Sequence, residues 1–238
     1  MSKFSLRGRL AVVTGGGRGC GFAFAQGLAE AGADVAIFDV IQPDATELKQ
    51  LISKHEVQIK SYIVDVTTLS SLKEGFASVA SDFNNRLDIL VACAGVNKNV
   101  HFLDTEEEDF ERLFAVNAKG VYFSAKLAAQ AMIANKTQCG SIVLVASIAS
   151  HMAIRSQRST AYCGTKGAVR AMVAPIAAEL HEHGIRVNSI SPGYVRTAMT
   201  APFPDLLEGW KDEIMNHRVA EPDDIMGACV FLASDASK

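Results

Sequence analysis

The sequence lacks most features of a specialised protein. Cysteine occurs only five times in 238 residues, at Cys20, Cys93, Cys139, Cys163 and Cys229, widely spaced and with no Cys-x-x-Cys pair. That excludes a metal-ribbon pattern and argues against a secreted disulfide framework, so a reducing, cytoplasmic setting is expected. His181 and His183 stand two apart near a helix end and point in different directions, so no metal is expected. Charge of neither sign dominates. A net charge of −3 and a pI near 6.1 argue against nucleic acid or an anionic membrane as partner. Long hydrophobic runs are absent too: the opening MSKFSLRGRLAVVTGG is too short in apolar residues for a signal-peptide core or a membrane span. Proline is scarce, at six residues, and no compositional period marks a collagen-like or low-complexity chain.

What is present is a globular composition, 49% hydrophobic with 18 glycines. A chain this long buries roughly 70% of its unfolded surface and needs no staple. No linker or composition break divides it, so residues 1–238 are expected to form a single domain. Near-continuous apolar runs at Leu10–Thr14, Asp34–Phe38, Gln58–Val64, Ile89–Ala92, Ile142–Ala146 and Ile185–Ile190 read as parallel strands buried on both faces. Between them Gly19–Ala31, Asp44–His55, Leu69–Asn84, Glu106–Asn135 and Ala161–His183 are long enough for crossover helices. Gly32 and Gly184 mark two helix ends. Thr105 with Glu108 predicts a capping box for the fourth helix, whose acidic first turn suits its dipole. Repeated β–α–β units predict an α/β fold: a Rossmann-type doubly wound parallel sheet with helices on both faces.

Directly after the first strand comes Thr14-Gly-Gly-Gly-Arg-Gly-Cys-Gly21 and then a helix. Glycines there let the backbone turn sharply and approach a pyrophosphate, whose charge sits at the helix N-terminus. The spacing is Thr-Gly-x-x-x-Gly-x-Gly rather than the standard dinucleotide pattern. Gly15, Gly17, Arg18, Gly19, Cys20 and Gly21 are thus cofactor-binding candidates. Asp39 ends the second strand, eighteen positions beyond Gly21. A carboxylate there accepts hydrogen bonds from ribose hydroxyls and repels a 2′-phosphate. Arg18 cuts the other way, since a guanidinium pairs with a 2′-phosphate. NAD(H) is expected over NADP(H), which stays possible.

Tyr162 and Lys166 stand at i and i+4 on one face of the fifth helix. Ser147 follows the fifth strand, Asn117 lies within Phe114-Ala-Val-Asn-Ala-Lys-Gly120, and Pro192-Gly193 follows the sixth strand. With the glycine loop, this ordered set resembles the short-chain dehydrogenase/reductase family over essentially the whole chain. The resemblance implies Tyr162 as general acid/base, with Lys166 lowering its pKa and holding the nicotinamide ribose. It implies Ser147 as donor to the substrate oxygen and Asn117 as holder of a relay water. It further implies Asp65 and Val66 near the adenine, Ala94 and Gly95 along the adenosine ribose, and Pro192, Gly193, Val195 and Thr197 near the nicotinamide. A homodimer or homotetramer is implied as well.

Three features depart from the family pattern. Ala92-Cys-Ala-Gly95 stands where Asn-Asn-Ala-Gly is usual, which removes amides that tie the fourth strand to its neighbours. Ser147 and Tyr162 are fifteen apart, two more than is common. The chain stops at Lys238, before the seventh strand that family members carry, so that strand is expected to be missing and the sixth strand to be an edge.

The Ser147…His151…Arg155-Ser-Gln157…Ala161-Tyr162 layout is similar to fungal polyol dehydrogenases and ketose reductases. The expected substrate is a small alcohol or carbonyl compound, a polyol/ketose pair, with His151, Arg155 or Gln157 meeting sugar hydroxyls. A substrate lid is expected over about 194–218, carrying Met199, Phe203, Leu206, Leu207, Trp210 and Met215. Its apolar content leaves a 3-oxoacyl or general ketone reductase as the alternative. A non-catalytic dinucleotide-binding regulator is the alternative of another class.

Overall fold

The strand runs assemble into one parallel sheet whose four central strands are buried on both faces. The two outer ones, expected to be buried likewise, carry polar residues and are only partly buried. The computed structural model describes residues 2–154, 156–197, 200 and 204–238, the side chains of residues 2 and 204–208 excepted. The strands are β1 (Leu10–Thr14), β2 (Asp34–Asp39), β3 (Ile59–Ile63), β4 (Ile89–Ala92), β5 (Gly140–Val145) and β6 (Ile185–Ile190), in the order β3-β2-β1-β4-β5-β6. Every pairing is parallel. The helices are α1 (Gly19–Glu30), α2 (Ala45–Lys54), α3 (Leu69–Asp82), α4 (Glu107–Phe114), α5 (Val121–Ala134), α6 (Thr160–Leu180), α7 (Pro204–Glu213) and α8 (Pro222–Ala233).

Alternation along each strand divides the core in two. Leu10, Val12, Phe38, Leu90, Ile142 and Leu144 face α3, α5 and α6. Ala11, Val13, Ile37, Val91 and Val143 face α1 and α8, against Phe24, Leu28 and Cys229. Phe38 is fully buried and meets Tyr62 and Phe76 edge-on, with centroids 5.8 and 5.3 Å away. Among the described residues β6 pairs only with β5, so it is an edge as expected. No described helix is long and apolar enough to cross a membrane.

Local signals hold at some helix ends and fail at others. Gly32 and Gly184 adopt left-handed φ values of +98° and +69° where α1 and α6 give way to turns. Asp44 caps α2 by accepting from the Thr46 and Glu47 amides. The capping box predicted for Thr105 and Glu108 does not form. Glu106 is the N-cap and makes no side-chain cap bond, while Thr105 Oγ1 donates to the His101 carbonyl instead. The helix predicted over Glu106–Asn135 is interrupted by a π-helical turn, Ala115–Gly120, which holds Asn117. α8 was not foreseen, yet Pro222 in its first turn and a Glu221–Asp224 capping box are legible start signals.

Candidate active site

The strand order reverses between β1 and β4, and their carboxyl ends splay apart to leave a crevice. A cavity of about 780 Å³ lies there. Gly15 forms its floor with φ +66°, and a Cβ at that position would come within 2.5 Å of Ala94 Cα. Gly21 opens α1 under the same loop, and a Cβ there would overlap the Gly15 carbonyl oxygen. Only glycine allows this close passage of backbone over backbone, which leaves a cradle bounded by the α1 N-terminus. That cradle fits the diphosphate of a dinucleotide.

Most of the expected residues converge on this cavity. Gly15, Arg18, Gly19, Cys20, Gly21, Asp39, Asp65, Val66, Ala94 and Gly95 line it. Ser147, Tyr162, Lys166, Pro192, Gly193, Val195 and Thr197 line it as well, with Thr197 close to Gly19 and the Lys166 ammonium close to Gly95. Gly17 and Asn117 do not line it. Gly17 instead donates its amide to Asp39 Oδ2 at 2.9 Å, and the Ile41 amide reaches Oδ1 at 3.2 Å, so the carboxylate is held in place at the end of β2. Arg18 is exposed, and while its carbonyl accepts from the Phe22 amide at 3.3 Å, its side chain makes no hydrogen bond or ion pair to a described residue. Asp65 Oδ1 accepts from the Thr67 amide and hydroxyl at 2.9 and 2.7 Å, which turns the chain after β3.

Asn117 is fully buried and ties the π turn to the loop after β4. Its Oδ1 accepts from the Val96 amide at 2.8 Å, and its Nδ2 donates to the Val96 carbonyl at 2.9 Å and to Thr165 Oγ1 at 3.1 Å. Both amide protons are therefore committed within the protein. A relay water at Asn117 has only acceptors left to it, the second lone pair of Oδ1 and the backbone carbonyl. At the Ala92-Cys-Ala-Gly95 departure the backbone is held by Thr14. Its carbonyl accepts from the Cys93 amide at 3.2 Å and its hydroxyl from the Ala94 amide at 3.3 Å, which keeps β4 tied to β1.

Within the cavity, α6 projects Tyr162 and Lys166 from one face towards Ser147 at the end of β5. Ser147 Oγ accepts from the Ala149 amide at 3.1 Å and hydrogen-bonds Tyr162, so the longer Ser–Tyr spacing is absorbed in the intervening loop. Lys166 is almost fully buried and donates to the Val145 carbonyl at 2.8 Å, with Nζ 5.8 Å from the Tyr162 ring centroid. Burial lowers the pKa of Lys166. Burial pushes Tyr162 up to about 12, against the downward pull of its bond to Ser147. Desolvation of the phenol is the largest cause of that rise, and Lys166 is not among its causes, its ammonium being turned to a backbone carbonyl.

The loop and lid residues divide differently. His151 is exposed and pairs with Ser191 Oγ at 3.0 Å, outside the cavity, whereas Gln157 lines it. Arg155, Met199 and Phe203 lie outside the described residues, as do the side chains of Leu206 and Leu207. Met215 is fully exposed, while Trp210 is buried and lines the cavity with Tyr194. Arg112, from α4, also lines the cavity and was missed. Nothing in its acidic helical context sets it apart.

Comparison with known proteins fits this geometry. A family model described as Enoyl-(Acyl carrier protein) reductase matches residues 15–238. Sorbose reductase sou1 of Schizosaccharomyces pombe is 33% identical over 99% of this chain and 92% of its own length. The chain belongs to the short-chain dehydrogenase/reductase family. Galactitol 2-dehydrogenase of Rhizobium johnstonii is 32% identical over 99% of this chain and 91% of its own. A short-chain type dehydrogenase/reductase from Mycobacterium marinum superposes with a TM-score of 0.92 at 32% identity, covering 99% and 92% of the two chains. A gluconate 5-dehydrogenase from Burkholderia cenocepacia, solved with NADP and tartrate, superposes with a TM-score of 0.87 at 32% identity, covering 99% and 92%.

Proposed function

We propose that this short-chain dehydrogenase/reductase interconverts a secondary alcohol and a ketone on a polyol/ketose pair. The observation that carries the reading is the convergence of Ser147, Tyr162 and Lys166 in the glycine-loop cavity, in a chain whose relatives are named for sorbose and galactitol. A nicotinamide, when bound, takes the hydride from the carbinol carbon or returns it to the carbonyl. Gly15, Gly19 and Gly21 would hold the diphosphate, Asp39 the adenosine ribose, and Lys166 the second ribose through the ammonium protons not given to Val145.

The Ala149 amide occupies one lone pair of Ser147 Oγ, so the single hydroxyl hydrogen that bonds Tyr162 is the one that turns to the substrate oxygen when substrate enters. Tyr162 takes the hydroxyl proton during oxidation and gives it back during reduction. Asn117 is a positioning residue that fixes the loop around Gly95 and Val96. In this reading the enzyme works in the cytoplasm as a homo-oligomer, as expected from its cysteine usage and its family.

The preference for NAD, which weighs Asp39 above Arg18, is revised. NADP is named for the gluconate 5-dehydrogenase, and Arg18 is exposed and lines the cavity with Asp39. The reading adopted is use of NADP through Arg18, with NAD competing through Asp39. The test is absorbance at the nicotinamide band, with each cofactor against pentitols, hexitols, ketoses and a 3-oxoacyl thioester. Arg18→Ala shifts the kcat/KM ratio towards NAD, and Asp39→Ala shifts it towards NADP. Turnover of the thioester but of no polyol or ketose contradicts the substrate assignment.

A further inference from the structure

The only tryptophan of the chain, Trp210, lies on α7 and lines the cavity. It is 3% exposed, packed on Val219 and Ile214, and stacked on Tyr194 with ring centroids 4.6 Å apart and planes at 21°. The stack is fixed from its rim. Tyr194 Oη donates to Glu213 Oε2 at 2.7 Å, and Ser156 Oγ donates to the same oxygen at 3.1 Å. These bonds draw the loop after β5, the chain after β6 and the end of α7 together around the indole. Yet the Trp210 Nε1–H is buried and has no acceptor among the described residues. A buried donor without a partner is costly, and indole N–H groups that are buried are ordinarily bonded. Phenylalanine would fill the same space without that cost.

We propose that Trp210 is a specificity-determining residue whose indole N–H donates to a substrate hydroxyl remote from the reacting carbon. The acceptor missing among the described residues is supplied by the polyol. A simple alcohol, with no second hydroxyl, leaves the donor unpaired and is discriminated against. The proposal rests on the polyol reading above and deepens it.

The test compares wild type and Trp210→Phe on the best polyol of the panel and on butan-2-ol. The polyol-to-butan-2-ol ratio of kcat/KM falls about tenfold in the variant, mostly through KM for the polyol, as expected for one lost hydrogen bond. A polyol analogue lacking the contacted hydroxyl shows no such fall. An equal loss on both substrates, or no loss, overturns the proposal and leaves Trp210 a packing residue. Should Trp210→Phe fail to fold, fluorescence decides, because all tryptophan emission comes from this site. In Tyr162→Phe with oxidised cofactor bound, emission shifts on adding the polyol and not on adding butan-2-ol. The same spectrum with and without polyol refutes the contact. Absence of polyol turnover in wild type is a different failure, that of the functional reading itself.

Discussion

Gly15→Ala isolates what the glycine loop does. Gly15 holds φ at +66°, and an added Cβ would sit 2.5 Å from Ala94 Cα and 2.7 Å from Ala94 N. The left-handed backbone costs an alanine about 1–2 kcal/mol. The overlap adds about 1–3 kcal/mol, because the obstacle is backbone and cannot rotate away. Ala94 cannot retreat freely, since its amide and that of Cys93 are bonded to Thr14. Gly8 provides the control: its φ is +79°, and nothing lies within 4 Å of its added Cβ. Gly8→Ala should therefore carry the backbone term alone. At about 2–4 °C per kcal/mol for a chain of this size, Gly15→Ala lowers Tm by about 10 °C and Gly8→Ala by about 4 °C. Dinucleotide affinity, measured by calorimetry, falls at least about tenfold in Gly15→Ala and holds in Gly8→Ala. Equal melting shifts with unchanged affinity in both variants would refute the reasoning and reduce the loop to an ordinary turn.

Phe38→Ala removes a fully buried ring held between Tyr62 and Phe76, and it lowers unfolding free energy by about 3–5 kcal/mol in denaturant titration. A loss under about 1 kcal/mol would mean the sheet does not pack there as described. The pH dependence follows from the raised pKa of Tyr162, about 12 in the protein alone. Oxidation needs the phenolate, so kcat/KM for the alcohol climbs with pH below the pKa of the working complex. Reduction needs the phenol, so kcat/KM for the ketone stays flat there and falls only above it. A pH profile of the same sign in both directions contradicts that assignment.

The strands were legible because β1, β2, β4 and β5 are buried on both faces, which leaves an apolar run that periodicity reading detects. The cavity residues were legible for a different reason: tight backbone approaches demand glycine, and proton transfer demands Tyr, Lys and Ser at strand and helix ends. Features set by tertiary contact were not legible. Thr105 has the sequence of a cap, but the preceding 3₁₀ turn offers its hydroxyl the His101 carbonyl. The π turn at Asn117 depends on bonds to Val96 and Thr165, distant in sequence. The Tyr162 pKa turns on desolvation, which spacing does not encode. Trp210 was visible only as an apolar residue in a lid, because an unpaired N–H is a property of its surroundings.

The most direct test of the central claim is nicotinamide absorbance during polyol oxidation by wild type and Tyr162→Phe, with cofactor binding measured on both. The account predicts turnover in wild type, a fall of about 10²-fold or more in kcat for the variant, and nearly the same cofactor affinity in each. Cofactor bound by both proteins with no hydride transferred to any alcohol or from any ketone would contradict it, and would mark the chain as a dinucleotide-binding regulator.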